Sequence, residues 1–153
     1  MPGSTKPRPD GTFSRLCLYR SMNTFLPYAN FRLSLKCLDN KRLGKQRVEA
    51  FQILKAIYLD RYGWQQHPCK RMWMQYPDAL TEYMNTAIDV WMERGFKNSM
   101  RKCHVMGVVY PSWLGLPKFH DSHKSNLLRK DSVHYGKYGW TVSDSLPYYW
   151  NDK

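Results

Sequence analysis

Residues 39–58 carry apolar side chains at helical spacing, and this feature constrains the fold of the chain most strongly. Asp39, just before the pattern, is a residue type that favours the N-cap position of a helix. A periodic set of side chains then falls near one helix face: Leu43, Val48, Phe51, Leu54 and Ile57 or Tyr58. The segment therefore predicts a long helix from Asp39 to about Tyr58, with this face turned towards the core.

Three other segments also favour helices. Asn30 is placed to start a short helix over residues 30–38, and another short helix is expected around 119–130. Between them, Asp78 is a candidate N-cap and Gly95 a candidate helix end. The apolar stripe of that helix consists of Leu80, Tyr83, Met84, Ala87 and Trp91. The sequence thus predicts a mainly α fold: a compact single domain of about three helices joined by long ordered loops.

The first 21 residues differ in character from the rest of the chain. Three prolines and two glycines fall within the first dozen positions, a composition typical of a flexible terminus. We therefore expect a flexible N-terminal extension over residues 1–21, followed by one domain over residues 22–153. A domain of that length can bury a hydrophobic core without disulfides or metals.

The charge of the chain indicates the kind of partner it has. The 24 Lys and Arg against 12 Asp and Glu give a net charge of +12, which favours nucleic acid or an anionic membrane surface. No run of about 18 apolar residues could span a bilayer, and the N-terminus lacks the apolar segment of a signal peptide. Four widely spaced cysteines suggest reduced thiols. These features predict a soluble, intracellular, basic domain without a membrane partner.

The densest positive stretch, residues 32–55, contains seven cations and two acids. On a helix, Arg42, Lys45 and Glu49 lie close to one line. One interpretation is an ordinary Lys45–Glu49 ion pair on a solvated face, in the weaker of the two orientations. The other is a phosphate-binding face that carries a working acid, because a carboxylate would only weaken a surface that does nothing but bind phosphates.

Several segments together resemble the pyrimidine-dimer DNA glycosylase family, the phage endonuclease V-like enzymes, and most closely their bacterial branch. The resemblance covers about residues 22–150 and rests on these segments: MNTFLPYANF, CLDNKRLGKQRVEAFQILKA, GWQQHP (63–68), PSWLG (111–115), HDSHKSNLLRKDSVHY (120–135) and LPYYW (146–150). It implies a compact, mainly helical enzyme that flips nucleotides at UV photoproducts. Such an enzyme attacks the sugar C1′ with an amine and cuts the strand by β-elimination.

The resemblance also implies roles for particular residues. Glu49, two positions after Arg47, matches the key glutamate of the family, although arginine and glutamate are adjacent in the phage form. The amine belongs to the start of the MNTF segment, at Met22 or Asn23. We expect the phosphates around the flipped nucleotide to be held by the basic residues of this helix: Lys41, Arg42, Lys45 and Arg47.

The identity of the amine stays open at this stage. An α-amino group, with a pKa of about 8, is neutral far more often near neutral pH than a lysine with a pKa of about 10.4. The chain carries 21 residues before Met22, so three alternatives compete. Translation starts at Met22, which we favour; the preceding residues are removed; or a lysine such as Lys41 or Lys45 acts after burial lowers its pKa.

Other polar residues are candidates for the same surface. His67 either lines the active site or occupies an ordinary turn before Pro68. The pair His120 and His123 lacks further ligands at a spacing suited to zinc, so we predict no metal. The helix around 119–130 offers a set of donors for phosphates, or a solvated polar face: Ser122, His123, Lys124, Ser125, Arg129 and Lys130.

The sequence as a whole predicts a monomeric DNA glycosylase with coupled abasic-site lyase activity. It would act on damaged or modified pyrimidines in duplex DNA inside the cell, without a metal or other cofactor. Two rival interpretations remain. One is a non-catalytic, basic nucleic-acid-binding domain, and the other is a glycosylase for a different modified base.

Overall fold

The computed structural model describes residues 22–59 and 67–151. Within these ranges the chain forms six α-helices and one short 3-10 helix: α1 (Phe31–Lys36), α2 (Asn40–Tyr58), α3 (Pro68–Trp73), α4 (Pro77–Glu93), α5 (Pro117–Lys130), α6 (Ser132–Tyr135) and the 3-10 helix Gly136–Tyr138. The expected mainly α fold is confirmed. The predicted flexible extension, residues 1–21, lies outside the described residues.

The two longest helices, α2 and α4, pack along each other and form the centre of the core. As predicted, the Asp39 side chain caps α2 by accepting a hydrogen bond from the Arg42 N–H. Gly44 lies where the helices approach closely: a Cβ there would be 3.1 Å from the Trp91 ring. None of the helices in the described part of the chain is long and apolar enough to cross a membrane.

Two predicted helix boundaries differ from the structure. Helix α4 begins at Pro77, whose fixed φ suits the first helical position, so Tyr76 is the N-cap residue and Asp78 lies in the first turn. The predicted turn at His67 instead begins α3, because Pro68 occupies its first turn and the His67 ring caps it.

The predicted core face of α2 is rotated from the observed one. Val48, Phe51 and Tyr58 are exposed, whereas Gln46 and Glu49 are buried beside Leu43, Ala50 and Ile53. A pattern of apolar residues could not indicate this face, since two of the side chains that it buries are polar. The rotation directs Glu49 into the protein, towards the segment that precedes α1.

That segment, residues 22–30, has no regular secondary structure, yet residues 22–27 are buried. It passes between α2 and α5, where side chains of both helices bind its backbone. Residues 146–150 cross the same region near the end of the chain, and we call them the C-terminal strap. The N-terminal segment, α2, α5 and the strap therefore meet around Glu49.

Candidate active site

Glu49 is the acid at the centre of this meeting point. Its side chain is largely buried, and its Oε2 accepts a hydrogen bond of 3.0 Å from the backbone N–H of Asn23 and a longer one of 3.4 Å from Gln46 Nε2. Burial raises the pKa of Glu49 to about 7, although the Asn23 bond and the charge of Lys45 hold the rise back. Near neutral pH this carboxyl group can therefore act both as an acid and as a base.

The structure does not show the ordinary Lys45–Glu49 ion pair. Among residues 22–59 and 67–151, no Lys or Arg nitrogen lies within 4 Å of the Glu49 carboxylate. Lys45 and Lys130 still lie close enough for their charges to lower the Glu49 pKa. Glu49 is thus surrounded by positive charge without being neutralised by one partner, as a working acid requires.

Gln46, one helical turn before Glu49, joins α2 to the N-terminal segment. Its Nε2 donates to the Asn23 carbonyl at 3.1 Å, and its Oε1 accepts from the Phe25 N–H at 2.9 Å. The Tyr83 hydroxyl, from α4, lies 2.6 Å from the same Oε1 and 2.9 Å from the Phe25 carbonyl, and can donate to either. One buried amide therefore fixes the backbone of residues 23–25 beside the Glu49 carboxyl.

The side chains of the N-terminal segment are fixed as well. Asn23 Oδ1 accepts a 2.8 Å hydrogen bond from the Thr24 N–H, and Thr24 Oγ1 accepts one of 2.9 Å from Trp73 Nε1. The first bond identifies which end of the Asn23 amide carries the nitrogen. Asn23 Nδ2 is buried and has no hydrogen-bond partner within the described residues.

Two histidines of α5 hold Leu26 from both sides of its backbone. His120 Nε2 accepts from the Gly115 N–H, so its proton is on Nδ1, which donates to the Leu26 carbonyl at 2.7 Å. His123 Nδ1 accepts the Leu26 N–H at 3.0 Å. Burial lowers the pKa of His123 to about 3, so this ring stays neutral and keeps its acceptor at physiological pH. The histidine pair thus anchors the N-terminal segment.

Another row of α5 side chains binds the strap. Ser122 and Ser125 accept hydrogen bonds from the backbone N–H groups of Tyr149 and Leu146 respectively. Asn126 Nδ2 donates to the Leu146 carbonyl at 3.1 Å, and Arg129 binds the carbonyls of Asp144 and Leu146. The segment HDSHKSNLLR therefore fastens both chain segments that border Glu49.

The predicted site residues divide into two groups. Asn23, Lys45 and Lys130 lie near Glu49, with Met22 next to Asn23 in the buried core and Arg42 close to Lys130. Burial together with the charges of Arg42 and Arg129 lowers the pKa of Lys130. Lys41 is exposed one turn before Lys45 on α2.

The other predicted residues make contacts within the protein. The Arg47 guanidinium lies 4.5 Å from the centre of the Trp91 ring and donates to Asn98, on the side of α2 opposite Glu49. His67 caps α3 through a bond from the Cys69 N–H, and Lys124 lies over the Tyr28 ring. Ser125 is fully buried, which leaves it no surface for a phosphate. The role of these side chains in DNA binding stays a prediction.

Sequence reasoning missed Gln46, Tyr83, Asn126 and Tyr148. Gln46 could have been found from its spacing, because a residue three positions before Glu49 shares its helix face. No local signal indicates Tyr83 or Tyr148, which come from distant parts of the chain and meet the site only through the tertiary fold.

Comparison with known proteins agrees with this arrangement. A model of the family described as pyrimidine dimer DNA glycosylase matches residues 22–103, more than half of the 153 residues. The matched range includes Asn23, Gln46, Glu49 and Tyr83, while α5 and the strap lie beyond it. No curated protein and no solved structure gives a significant match to the chain.

Proposed function

Because the chain belongs to the pyrimidine dimer DNA glycosylase family, we propose that it excises UV-induced pyrimidine dimers, or other damaged or modified pyrimidines, from duplex DNA. We further propose that it cuts the strand at the resulting abasic site through an amine covalently attached to the sugar. Family membership supports glycosylase action on DNA. The geometry around Glu49 supports an amine nucleophile and strand cleavage.

The observation that carries this proposal is the 3.0 Å contact between the nitrogen of Asn23 and Glu49 Oε2. Within a longer chain that nitrogen is an amide, whose delocalised lone pair is not nucleophilic. If Asn23 is the first residue, the same nitrogen becomes an α-amine with a pKa near 8 and lies beside an acid of matched pKa. An amine at Met22 would lie one residue further from Glu49. The contact thus favours Asn23 over Met22 as the nucleophile.

The first half of the reaction breaks the bond between base and sugar. The neutral amine attacks C1′ of the extruded nucleotide, an N–C1′ bond forms, and the C1′–N1 bond breaks with its electrons on the base. The protonated Glu49 gives its proton to the leaving base. The resulting carboxylate then removes a proton from the attached nitrogen.

The second half cuts the strand. The nitrogen lone pair forms a C=N bond as the C1′–O4′ bond breaks, which gives a protonated imine, and O4′ takes a proton from Glu49. The Glu49 carboxylate next removes a proton from C2′, and the C3′–O bond breaks with its electrons on the departing 3′ phosphate. Water then hydrolyses the imine and restores the amine. Glu49 is therefore protonated and ionised in alternate proton transfers. A pKa of about 7 allows both states near neutral pH.

The cations around Glu49 supply the binding side of the proposal. Lys45 and Lys130 lie near the buried acid, Arg42 lies near Lys130, and Lys41 extends the basic face along α2. Such side chains hold DNA through its phosphates, without regard to sequence. Extrusion of a nucleotide costs a few kcal/mol and less at a poorly stacked lesion, and this lower cost, rather than the phosphate contacts, favours damaged sites.

Borohydride trapping tests the proposal directly. Three forms of the chain, beginning at residue 1, Met22 or Asn23, would be incubated with UV-irradiated duplex DNA and sodium borohydride, each beside its Glu49→Gln variant. The first residue of each form would be verified by mass spectrometry. We expect a covalent protein–DNA adduct from the form that begins at Asn23, and a large loss of adduct in its Glu49→Gln partner.

The other outcomes separate the alternatives. An adduct from the form with residues 1–21 intact would move the nucleophile to a lysine such as Lys41 or Lys45. An adduct only from the Met22 form would assign the reaction to that amine. No adduct and no strand cleavage from any form, on UV-damaged or abasic DNA, would contradict the proposal and leave a binding domain or a glycosylase for another base.

A further inference from the structure

Several hydrogen bonds from α5 hold the C-terminal strap beside the candidate active site. Its backbone is bound at Leu146 by three side chains of α5 and at Tyr149 by Ser122. Tyr148 lies between these two anchors, so its ring has a fixed position. Its centre is 5.4 Å from that of the His123 ring, which itself holds Leu26.

Tyr148 lies beside the Asn23 side chain and near Glu49. Burial raises the pKa of Tyr148 to about 12, and a hydrogen bond from the Asn23 side chain, with the charges of Arg129 and Arg42, holds the rise back. The hydroxyl group is therefore protonated at neutral pH and available as a donor. Its partner among the described side chains is Asn23, whose amide donates to the hydroxyl oxygen and leaves the hydroxyl proton available.

Asn23 contributes a second donor beside Tyr148. Its Oδ1 is occupied by the Thr24 N–H, while Nδ2 is buried, has no acceptor within 3.5 Å among the described residues, and makes only a longer contact with the Tyr148 hydroxyl oxygen. A buried donor without a close acceptor is unfavourable, and a ligand that offers an acceptor removes that penalty. Nδ2 and the Tyr148 hydroxyl thus form a pair of donors beside the nitrogen that Glu49 contacts.

We infer that Asn23 Nδ2 and the Tyr148 hydroxyl together bind a carbonyl oxygen of the extruded pyrimidine and stabilise the base as it leaves. The inference rests on the proposed function and deepens it. When the C1′–N1 bond breaks, its electrons spread over the pyrimidine ring onto the carbonyl oxygens. Donors aimed at an oxygen where charge develops act mainly in the transition state. Tyr148 also lies outside the residues matched by the family model, 22–103.

The test compares one variant on two substrates, in the form of the chain that borohydride traps. Tyr148→Phe removes only the hydroxyl. On a duplex with a pyrimidine dimer, we expect kcat for base release to fall about 100-fold with little change in KM. On a duplex that already carries an abasic site there is no base to release, so strand cleavage should stay within about twofold of the unaltered protein. Tyr149→Phe, a neighbouring tyrosine whose backbone alone binds α5, is the matched control and should retain both activities.

Each alternative result has a distinct meaning. Equal losses on both substrates would show that Tyr148 only supports the fold, and no loss on either would show that its hydroxyl is unused; both overturn the inference. If the unaltered protein cuts the abasic duplex but releases no base, the inference fails while the lyase half of the proposed function stands. If the unaltered protein acts on neither substrate, the proposed function fails with it.

Discussion

Glu49 is a buried acid whose environment works against its charge. Burial raises its pKa from an ordinary 4.5 to about 7, and the nearby cations and two hydrogen bonds only partly oppose this. Because the folded-state pKa lies above the unfolded one, Glu49 stabilises the fold most at low pH. That contribution is lost as the pH rises from about 4.5 through 7, where the folded protein has to carry a buried carboxylate.

A pH-dependent gain in stability is therefore expected for Glu49→Gln. At pH 8.5 the variant avoids the buried charge and should be more stable by up to roughly 3 kcal/mol, because burial raises the pKa of Glu49 from 4.5 to about 7. At pH 5 most of that gain should be absent, since both proteins then carry a neutral group in the folded state. Urea unfolding at the two pH values measures the difference. Asp78→Asn, at an exposed carboxylate on α4, is the control, and an equal gain for Glu49→Gln at both pH values would contradict the argument.

Gln46 is expected to affect both stability and the pH profile of the reaction. Gln46→Leu leaves the Phe25 N–H and the Asn23 carbonyl buried without their partner, which costs about 1–3 kcal/mol for each group. It also removes a donor that lowers the Glu49 pKa. The limb of the pH–kcat profile that reports Glu49 should therefore move to higher pH.

Tyr83→Phe separates the two effects of Gln46. It removes a hydroxyl that binds Gln46 and Phe25, and makes no hydrogen bond to Glu49. We expect Tyr83→Phe to lower the free energy of unfolding without moving the pH–kcat profile. If both variants moved the profile equally, Gln46 would act only through the packing of the core.

At the scale of whole elements, α5 shows what the sequence could and could not predict. Local patterns predict α5 itself and its basic end. They also predict the Asp39 cap of α2, because its partner is three residues away. Local patterns do not predict the role of the polar residues of α5. His120 and His123 bind Leu26 across 94 and 97 residues of chain, and helical periodicity indicates which side chains share a face but not what packs against it. Ser122, His123 and Ser125, which were predicted to contact phosphates, make internal hydrogen bonds, and their role in DNA binding stays a prediction.

The rotated face of α2 has a related cause. The exposed Val48 and Phe51 are apolar, and the buried Gln46 and Glu49 are polar, so a rule that places apolar residues inside fails here. Such exceptions are expected at functional sites, where residues serve the reaction rather than the stability of the fold. The resemblance to the family identified Glu49. The burial that raises its pKa and the partners that oppose this rise could be seen only in the structure.

The anchoring role of α5 predicts the effect of a conservative change at Ser125. Ser125→Ala leaves the Leu146 N–H without its acceptor, which should cost about 1–2 kcal/mol and speed hydrogen exchange at the strap. Because Tyr148 depends on the strap, base release should fall more than cleavage of an abasic duplex. Amide exchange followed by mass spectrometry measures the loosening, with the exposed Ser132→Ala as control. Unchanged exchange at residues 146–150 would contradict the assignment of Ser125 as an anchor.

Within the described residues, the acidic side chains of α4 and the basic side chains near Glu49 occupy separate helix faces. Four acids of α4 share one face of that helix, namely Asp78, Glu82, Asp89 and Glu93. Several of them are engaged there: Glu93 with Arg32, Asp89 with Lys102 and Glu82 with Tyr110. Among the described residues, Lys45 and Lys130 form no ion pair, whereas Arg42 pairs with Asp39. Lys45 and Lys130 therefore contribute unpaired positive charge beside Glu49.

This separation predicts which cations determine the salt dependence of DNA binding. Each phosphate contact contributes about 0.9 to the slope of log K against log salt on duplex DNA. Lys45→Ala should therefore lower the slope by about one and weaken binding to damaged and undamaged duplexes alike. Arg32→Ala removes the same charge from the acidic face, where Arg32 pairs with Glu93, and should leave the slope unchanged. Fluorescence anisotropy over a range of salt concentrations measures both, and equal slopes for the two variants would show that DNA responds to the net charge of the protein rather than to the basic face beside Glu49.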